Sequence, residues 1–181
     1  MSDGLKSYHY SSSKLGHAHG YLLPQVEAIL AGLPGKRIFE LGCGNGSVAA
    51  YLASKGYDMT GIDFSEEGIA QAQKAHPGLK LAQGSVYDDQ TAAHGRFPLV
   101  MSLEVVEHLY FPRKFARTAY DLLEDGGTAV ISTPYHGYWK NLAMAVSGKM
   151  DAHYTALWDG GHIKFWSEKT LSHLLVESGY K

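Results

Sequence analysis

The segment Phe39-Glu-Leu-Gly-Cys-Gly-Asn-Gly46 constrains this chain more than any other. Residues 36–41 read as a short buried strand, and Gly42, Gly44 and Gly46 bend the chain into a helix that begins near Ser47. Glycine is needed where backbone turns sharply and where a ligand must reach the main chain without a Cβ in the way. The next strand, ending at Ile62, delivers Asp63 to its carboxyl end. A carboxylate there, about 20 residues past the loop, suits two-point hydrogen bonding to a ribose. The unit reads as a nucleoside-binding βαβ.

Spacing alone leaves the nucleoside open. Gly44-x-Gly46-x-x-Ala49 satisfies the dinucleotide pattern in which a pyrophosphate rests on a helix N-terminus. The longer run Glu40-x-Gly42-x-Gly44-x-Gly46 fits something else better, because it sets a carboxylate beside the cofactor crevice. An anion there disfavours a pyrophosphate and suits an ammonium or sulfonium group. S-adenosylmethionine carries both. With this run the chain resembles the class I S-adenosylmethionine-dependent methyltransferases, whose first motif is E/D-x-G-x-G-x-G, and the resemblance covers roughly residues 36–180.

Alternation of strand and helix supports an α/β architecture. Residues 36–41, 58–62, 79–83, 98–103 and 128–133 read as strands. Helices are predicted over 47–55, from Ser65 to about 75, over 112–123 and from Ser167 to Gly179. Asp125-Gly-Gly127 reads as a turn, and 134–165 as irregular. Such alternation predicts a Rossmann-like, doubly wound, mostly parallel sheet with helices on both faces. Residues 1–35 are expected to form an N-terminal lid and helix segment, with Tyr8, Tyr10 and 14–21 folding over the cofactor. Residues 36–181 then form the S-adenosylmethionine-binding domain, with 134–166 as an aromatic-rich insertion on the acceptor side.

With 181 residues and 45% apolar content the chain is one domain with a sizeable core. A net charge of −2 supplies no basic field, so nucleic acid is not favoured as a partner. No apolar run reaches membrane-spanning length and the N-terminus is no signal peptide. The single cysteine, Cys43, cannot form an internal disulfide, which fits a reducing, cytoplasmic setting. A helix N-terminus lowers thiol pKa, so Cys43 is also a candidate nucleophile; a small side chain that fits the loop is the simpler account. The resembling family closes its sheet with two more strands after the helix that here ends at Gly179. Their absence predicts an exposed strand-five edge, explained by a shortened chain, a minimal fold or a homodimer through that edge.

Ligands of open α/β sheets bind outside the carboxyl ends of the strands. The resemblance accordingly assigns the cofactor to Glu40, Gly42, Cys43, Gly44, Gly46, Asp63, Phe64, Ser85, Val86 and Glu104. Phe64 would lie against the adenine. Ser85 stands where many members carry an acidic residue, and Asp88 is an alternative contact.

The segment after strand four, Ser102-Leu-Glu104-Val-Val-Glu107-His108, carries the richest chemistry. If a helical turn starts there, Glu104, Glu107 and His108 share one face near the transferred methyl. Two carboxylates and an imidazole suit manganese, iron or zinc, and magnesium less well. Alternatively Glu104 contacts the cofactor while Glu107 and His108 orient loops. Gly161-His162-Ile-Lys-Phe-Trp166 is similar to a segment of the small-RNA 2′-O-methyltransferases, and ubiquinone-biosynthesis O-methyltransferases carry a similar E-x-x-E-H. That resemblance implies a four-ligand site of Glu104, Glu107, His108 and His162. Catalysis is then assigned to His108, His162 and Glu107.

Of the other histidines, His17 and His19 read as solvated loop, while His136 and His153 are pocket or loop residues. Tyr135, Tyr138, Trp139, Tyr154, Trp158, Phe165 and Trp166 form either the acceptor wall or a satellite core. The expected activity is transfer of a methyl group from S-adenosylmethionine to a small-molecule acceptor, in line. A hydroxyl acceptor is favoured, since it needs a base or a cation to lower its pKa. The alternatives are a non-catalytic module that binds S-adenosylmethionine or its demethylated product, and an NAD-dependent oxidoreductase.

Overall fold

The computed structural model describes residues 15–16, 19–154 and 156–181. Tyr8, Tyr10, Lys14 and His17 lie outside the described residues. Five parallel strands form one sheet in the order β3-β2-β1-β4-β5. They are β1 (Arg37–Leu41), β2 (Asp58–Asp63), β3 (Lys80–Gln83), β4 (Phe97–Leu103) and β5 (Leu123–Ser132). The order reverses between β1 and β4, and that reversal opens a crevice beyond their carboxyl ends. Edges are β3 and β5.

Both faces of the sheet are covered, which is why its strands read as near-continuous apolar runs. Side chains along β1 alternate: Ile38 joins one core while Phe39 and Leu41 join the other. Helices α1 (His19–Ala31), α2 (Ser47–Ser54) and α3 (Glu66–Ala75) pack the first face. Leu23, Val26 and Leu30 of α1 are buried there, so this helix is part of the core. His19 Nδ1 at its start accepts from Gly16 N–H at 2.8 Å. Helices α5 (Pro112–Asp121) and α8 (Glu168–Glu177) pack the second face through Phe115, Ala119 and Leu174. Ser167 caps α8 reciprocally with Thr170, as its position before the apolar run predicts.

Three local expectations are corrected. A four-residue helix α4 (Thr91–His94) intervenes before β4 and sets His94 against Phe39, with ring centroids 5.1 Å apart. The Asp125-Gly-Gly127 turn lies inside β5 as an irregularity: Phe97 pairs with Leu123, yet Leu99 pairs with Thr128. The 134–165 stretch contains two helices, α6 (Tyr138–Val146) and α7 (Met150–Tyr154). Neither buries a residue, so neither packs on the sheet in the way that makes a helix part of the alternating strand–helix pattern. No helix among the described residues is long and apolar enough to cross a membrane.

Candidate active site

The glycine loop takes the predicted form. Gly42 and Cys43 both donate to Ile62 O, at 2.8 and 2.9 Å, which lashes the loop to β2. Gly46 has φ 72°, and a Cβ there would lie 2.7 Å from Leu81 Cδ1 and 2.9 Å from Ala72 Cβ. It is therefore required twice over, for handedness and for the close approach of the loop's end to β3 and α3. The loop then runs into α2 with Ala50 N–H bonded to Gly46 O.

Asp63 performs a second task that its spacing did not reveal. Its Oδ2 accepts from Gly44 N–H and its Oδ1 from Ser65 N–H, each at 2.8 Å. One carboxylate thus pins the tip of the loop and the entry to α3, and each oxygen retains a lone pair for a ligand. Burial pushes its pKa up, and the two backbone hydrogen bonds pull it partly back.

Glu40 is 2% exposed, with Oε2 lacking any hydrogen-bond partner. Burial, and then the neighbouring Asp63, push its pKa up to about 8. A buried carboxyl this costly to ionise is one that a cation placed beside it would stabilise in its charged form. Between about pH 5 and pH 8 the folded, ligand-free protein holds a proton that the unfolded chain has released. Stability is therefore expected to fall as pH rises through that window. Glu107 contributes in the same direction at its own, lower pKa. Glu40→Gln removes the Glu40 part, so its melting temperature should exceed that of the parent above pH 8 by several degrees. Thermal melts from pH 5 to pH 9 check this, and parallel curves for the two proteins would refute it.

Cys43 is buried, and burial with Glu40 and Asp63 pushes its thiol well above the usual range. It is a packed thiol, and the helix N-terminus does not make it a nucleophile. Phe64 is half exposed at the end of β2. Ser85 Oγ accepts from Tyr87 N–H at 3.1 Å, and Val86 is buried.

The segment after β4 converges by another route than a shared helical face. Glu104 has φ 56°, the one positive φ outside glycine among the described residues. This costs on the order of 1 kcal/mol or more and occurs where the surroundings over-determine the conformation. Here Glu104 N–H donates to Ser132 Oγ at 3.1 Å, while Ser132 Oγ–H donates to the Glu104 carboxylate at 2.8 Å. The chain then forms a 3-10 turn over Val106–His108 only.

That turn faces Glu107 and His108 towards His162. His108 Nε2 and His162 Nε2 each lie 4.0 Å from Glu107 Oε1. One ligand atom from each of the three lies within 4.8 Å of the other two. Glu104 is outside this group, with its carboxylate held by Ser132, though its charge is felt by Glu107. Glu107 is 1% exposed and neither oxygen has a hydrogen bond of good geometry, Thr133 and its own backbone N–H being only close enough to favour its charge weakly. Burial, with a smaller push from Glu104, raises its pKa to about 7. His162 is lowered to about 4, first by burial and then by His108, His136, His153 and Lys140. It is a neutral imidazole at pH 7, with a lone pair to give.

His136 and His153 meet in the aromatic cluster with Tyr154 and Phe165, at ring-centroid distances of 5.0–6.2 Å. Tyr138 and Trp139 are largely exposed, whereas Trp166 is buried. Ser132 and Thr133 escaped sequence reasoning as site residues. Their position at the carboxyl end of β5 was the available signal. Thr133 stands close enough to Glu107 to favour its ionised form.

A profile of the methyltransferase domain matches residues 15–181. The ubiquinone biosynthesis O-methyltransferase of Caulobacter sp. (strain K31) is 34% identical over 128 residues, 68% of this chain and 49% of that protein. The protein of the same name from Pseudomonas aeruginosa (strain UCBPP-PA14) is 33% identical over 107 residues, 57% and 46% of the two chains. The chain thus spans about half the length of the curated relatives it matches. Among solved structures, an S-adenosylmethionine-dependent methyltransferase from Mesorhizobium loti superposes with a TM-score of 0.64 at 21% identity, over 86% of this chain and 79% of the other. One from Archaeoglobus fulgidus gives 0.64 at 16%, over 88% and 67%. At these identities the structures speak for the fold. Profile and fold agree with the glycine loop, its aspartate and the strand order: the chain belongs to the methyltransferase-domain family and has the Rossmann-like fold of the S-adenosylmethionine-dependent methyltransferases.

Proposed function

We propose that this domain transfers the methyl group of S-adenosylmethionine to a hydroxyl oxygen of a small-molecule acceptor. The observation that carries the reading is the meeting of Glu107, His108 and His162 at the carboxyl end of β4, beyond the same strand ends as the glycine loop. The O-methyltransferase name of the Caulobacter relative supports it. The cofactor supplies its own electrophile, so the protein must align an acceptor, exclude water and handle one proton. Glu40 and Asp63 line the cofactor end of the crevice with carboxyl groups, and a cation bound there would draw Glu40 into its charged form.

The donor set fits a divalent transition metal. Two imidazole nitrogens and a carboxylate oxygen suit manganese, iron or zinc. A buried carboxylate without a hydrogen bond of good geometry is the residue such a cation would relieve. Glu107, His108 and His162 would hold the ion, and Glu104 would join them by leaving Ser132. A bound divalent cation lowers the pKa of a hydroxyl it contacts. With no ion bound, an imidazole would instead orient the acceptor oxygen and receive its proton at the ring nitrogen whose lone pair is free, as the oxygen attacks the methyl carbon and the sulfonium departs as a neutral thioether.

Calorimetric titration of the full chain with S-adenosylmethionine, S-adenosylhomocysteine and NADH tests the cofactor class. Heat with both adenosyl compounds and silence with NADH is expected. A separate titration with Mn²⁺ should give heat that Glu107→Ala abolishes. Silence with Mn²⁺, Fe²⁺ and Zn²⁺ alike would leave a metal-free imidazole base, and silence with the adenosyl compounds would end the methyltransferase reading.

A further inference from the structure

His162 reaches Glu107 because a surface turn carries it there. Residues 156–160 are all exposed, and Leu157 is 98% exposed, so burial does not anchor the segment. Hydrogen bonds tie it on both sides of His162. On one side His108 Nδ1 lies 2.9 Å from Gly160 O and 3.2 Å from Gly161 O. On the other, Ile163 and Lys164 both donate to Glu107 O at 3.0 Å. The strap and the 3-10 turn therefore hold each other in register.

Trp158 closes that strap. Gly161 N–H donates to its carbonyl at 3.0 Å. Its indole lies 5.6 Å from the His162 ring at 54° and 6.2 Å from the His108 ring at 86°, while the two imidazoles are 4.9 Å apart. The indole also rests on Gly161, where a Cβ would come within 3.1 Å of the ring and 2.9 Å of Trp158 O. Residue 161 thus has no space for a side chain while Trp158 occupies this position. One ring braces both imidazoles and the turn whose carbonyls meet His108.

A carbonyl oxygen accepts and cannot donate, so the His108 nitrogen facing Gly160 and Gly161 must carry the hydrogen. In the neutral ring the lone pair is then on Nε2, the nitrogen 4.0 Å from Glu107 Oε1. Backbone carbonyls fix imidazole tautomers in this way at metal and acid–base sites.

We infer that Trp158 is a positioning residue: it clamps the 158–161 turn against His108 and His162, and so holds His108 as the Nδ1–H tautomer with Nε2 presented to Glu107. This deepens the proposed function, since it takes His108 Nε2 as the working nitrogen. Its first test needs neither metal nor acceptor.

Imidazole ¹⁵N spectra of the metal-free full chain, recorded under alkaline conditions in which the rings are neutral, read the tautomer directly. The His108 signals are assigned by their loss in His108→Gln. The expected result is a single Nδ1–H form in the parent and in Trp158→Phe, and a mixture in Trp158→Ala. With the acceptor assay in place, kcat should fall about tenfold in Trp158→Ala, with KM for S-adenosylmethionine unchanged and substantial rescue in Trp158→Phe. An Nε2–H form in the parent overturns the inference. So does a Trp158→Ala protein that keeps the Nδ1–H form, whether turnover is intact or reduced; reduced turnover would then make Trp158 an acceptor contact. Should the chain bind no metal or methylate no hydroxyl, the spectra still decide the tautomer, so the two readings fail separately.

Discussion

Glu107→Gln is expected to lower kcat/KM by at least about 100-fold, the scale on which removing a positioned acid–base group or metal ligand acts. Glutamine is nearly isosteric, so the 3-10 turn and its backbone bonds to Ile163 and Lys164 should survive. The substitution also removes a buried carboxyl whose ionisation costs stability from about pH 5 to about pH 7. The variant should therefore melt no lower than the parent at pH 8 while losing turnover, a combination that damaged folding would not produce. Its affinity for S-adenosylmethionine should stay within about threefold, because the cofactor contacts are assigned to other residues. Steady-state kinetics, melts and calorimetry on one preparation check all three. Turnover within threefold of the parent would remove Glu107 from the chemistry.

Asp63→Ala should weaken S-adenosylmethionine binding at least tenfold. Hydrogen bonds to an ionised group are worth about 1.5–3 kcal/mol each. Asp63 accepts one from Gly44 and one from Ser65 before any ribose arrives. The loss thus has two parts, the ligand's own contacts and the freedom returned to the loop. Asp63→Asn separates them, because the amide oxygen can still take one backbone N–H while its NH2 group faces the other donor. An intermediate affinity is expected. Calorimetry with all three proteins measures it, and unchanged affinity in Asp63→Ala would exclude Asp63 from the site.

Much of the frame was legible because its causes are local. Strand alternation, the cap at Ser167 and the glycine at position 46 each reflect a requirement of a few neighbouring residues. The pairing of Glu107 with His108 was legible by adjacency, and His162 by family resemblance. Glu104 was the instructive error of geometry. An i, i+3, i+4 rule presumes a regular helix, whereas the chain leaves β4 through a left-handed residue and makes only a 3-10 turn. Glu104 consequently meets Ser132, a strand away, in place of its sequence neighbours. The two helices of the 134–165 stretch were missed for another reason: α7 is only five residues long, and the aromatic residues of α6 were read as an acceptor wall or satellite core although none of them is buried.

By itself, then, the sequence determined the parallel sheet, the glycine loop and the two carboxyl groups that stand beside it. These rest on backbone conformations that only certain residues tolerate and on apolar periodicity along single segments. Tertiary structure alone decided that Asp63 locks the loop, that the Glu107 carboxyl is buried, and that His108 and His162 face one carboxylate oxygen. The contacts responsible run largely through backbone N–H and C=O groups, which every residue but proline supplies in full. No residue type marks such a contact in a sequence, and it appears only when the chain has closed.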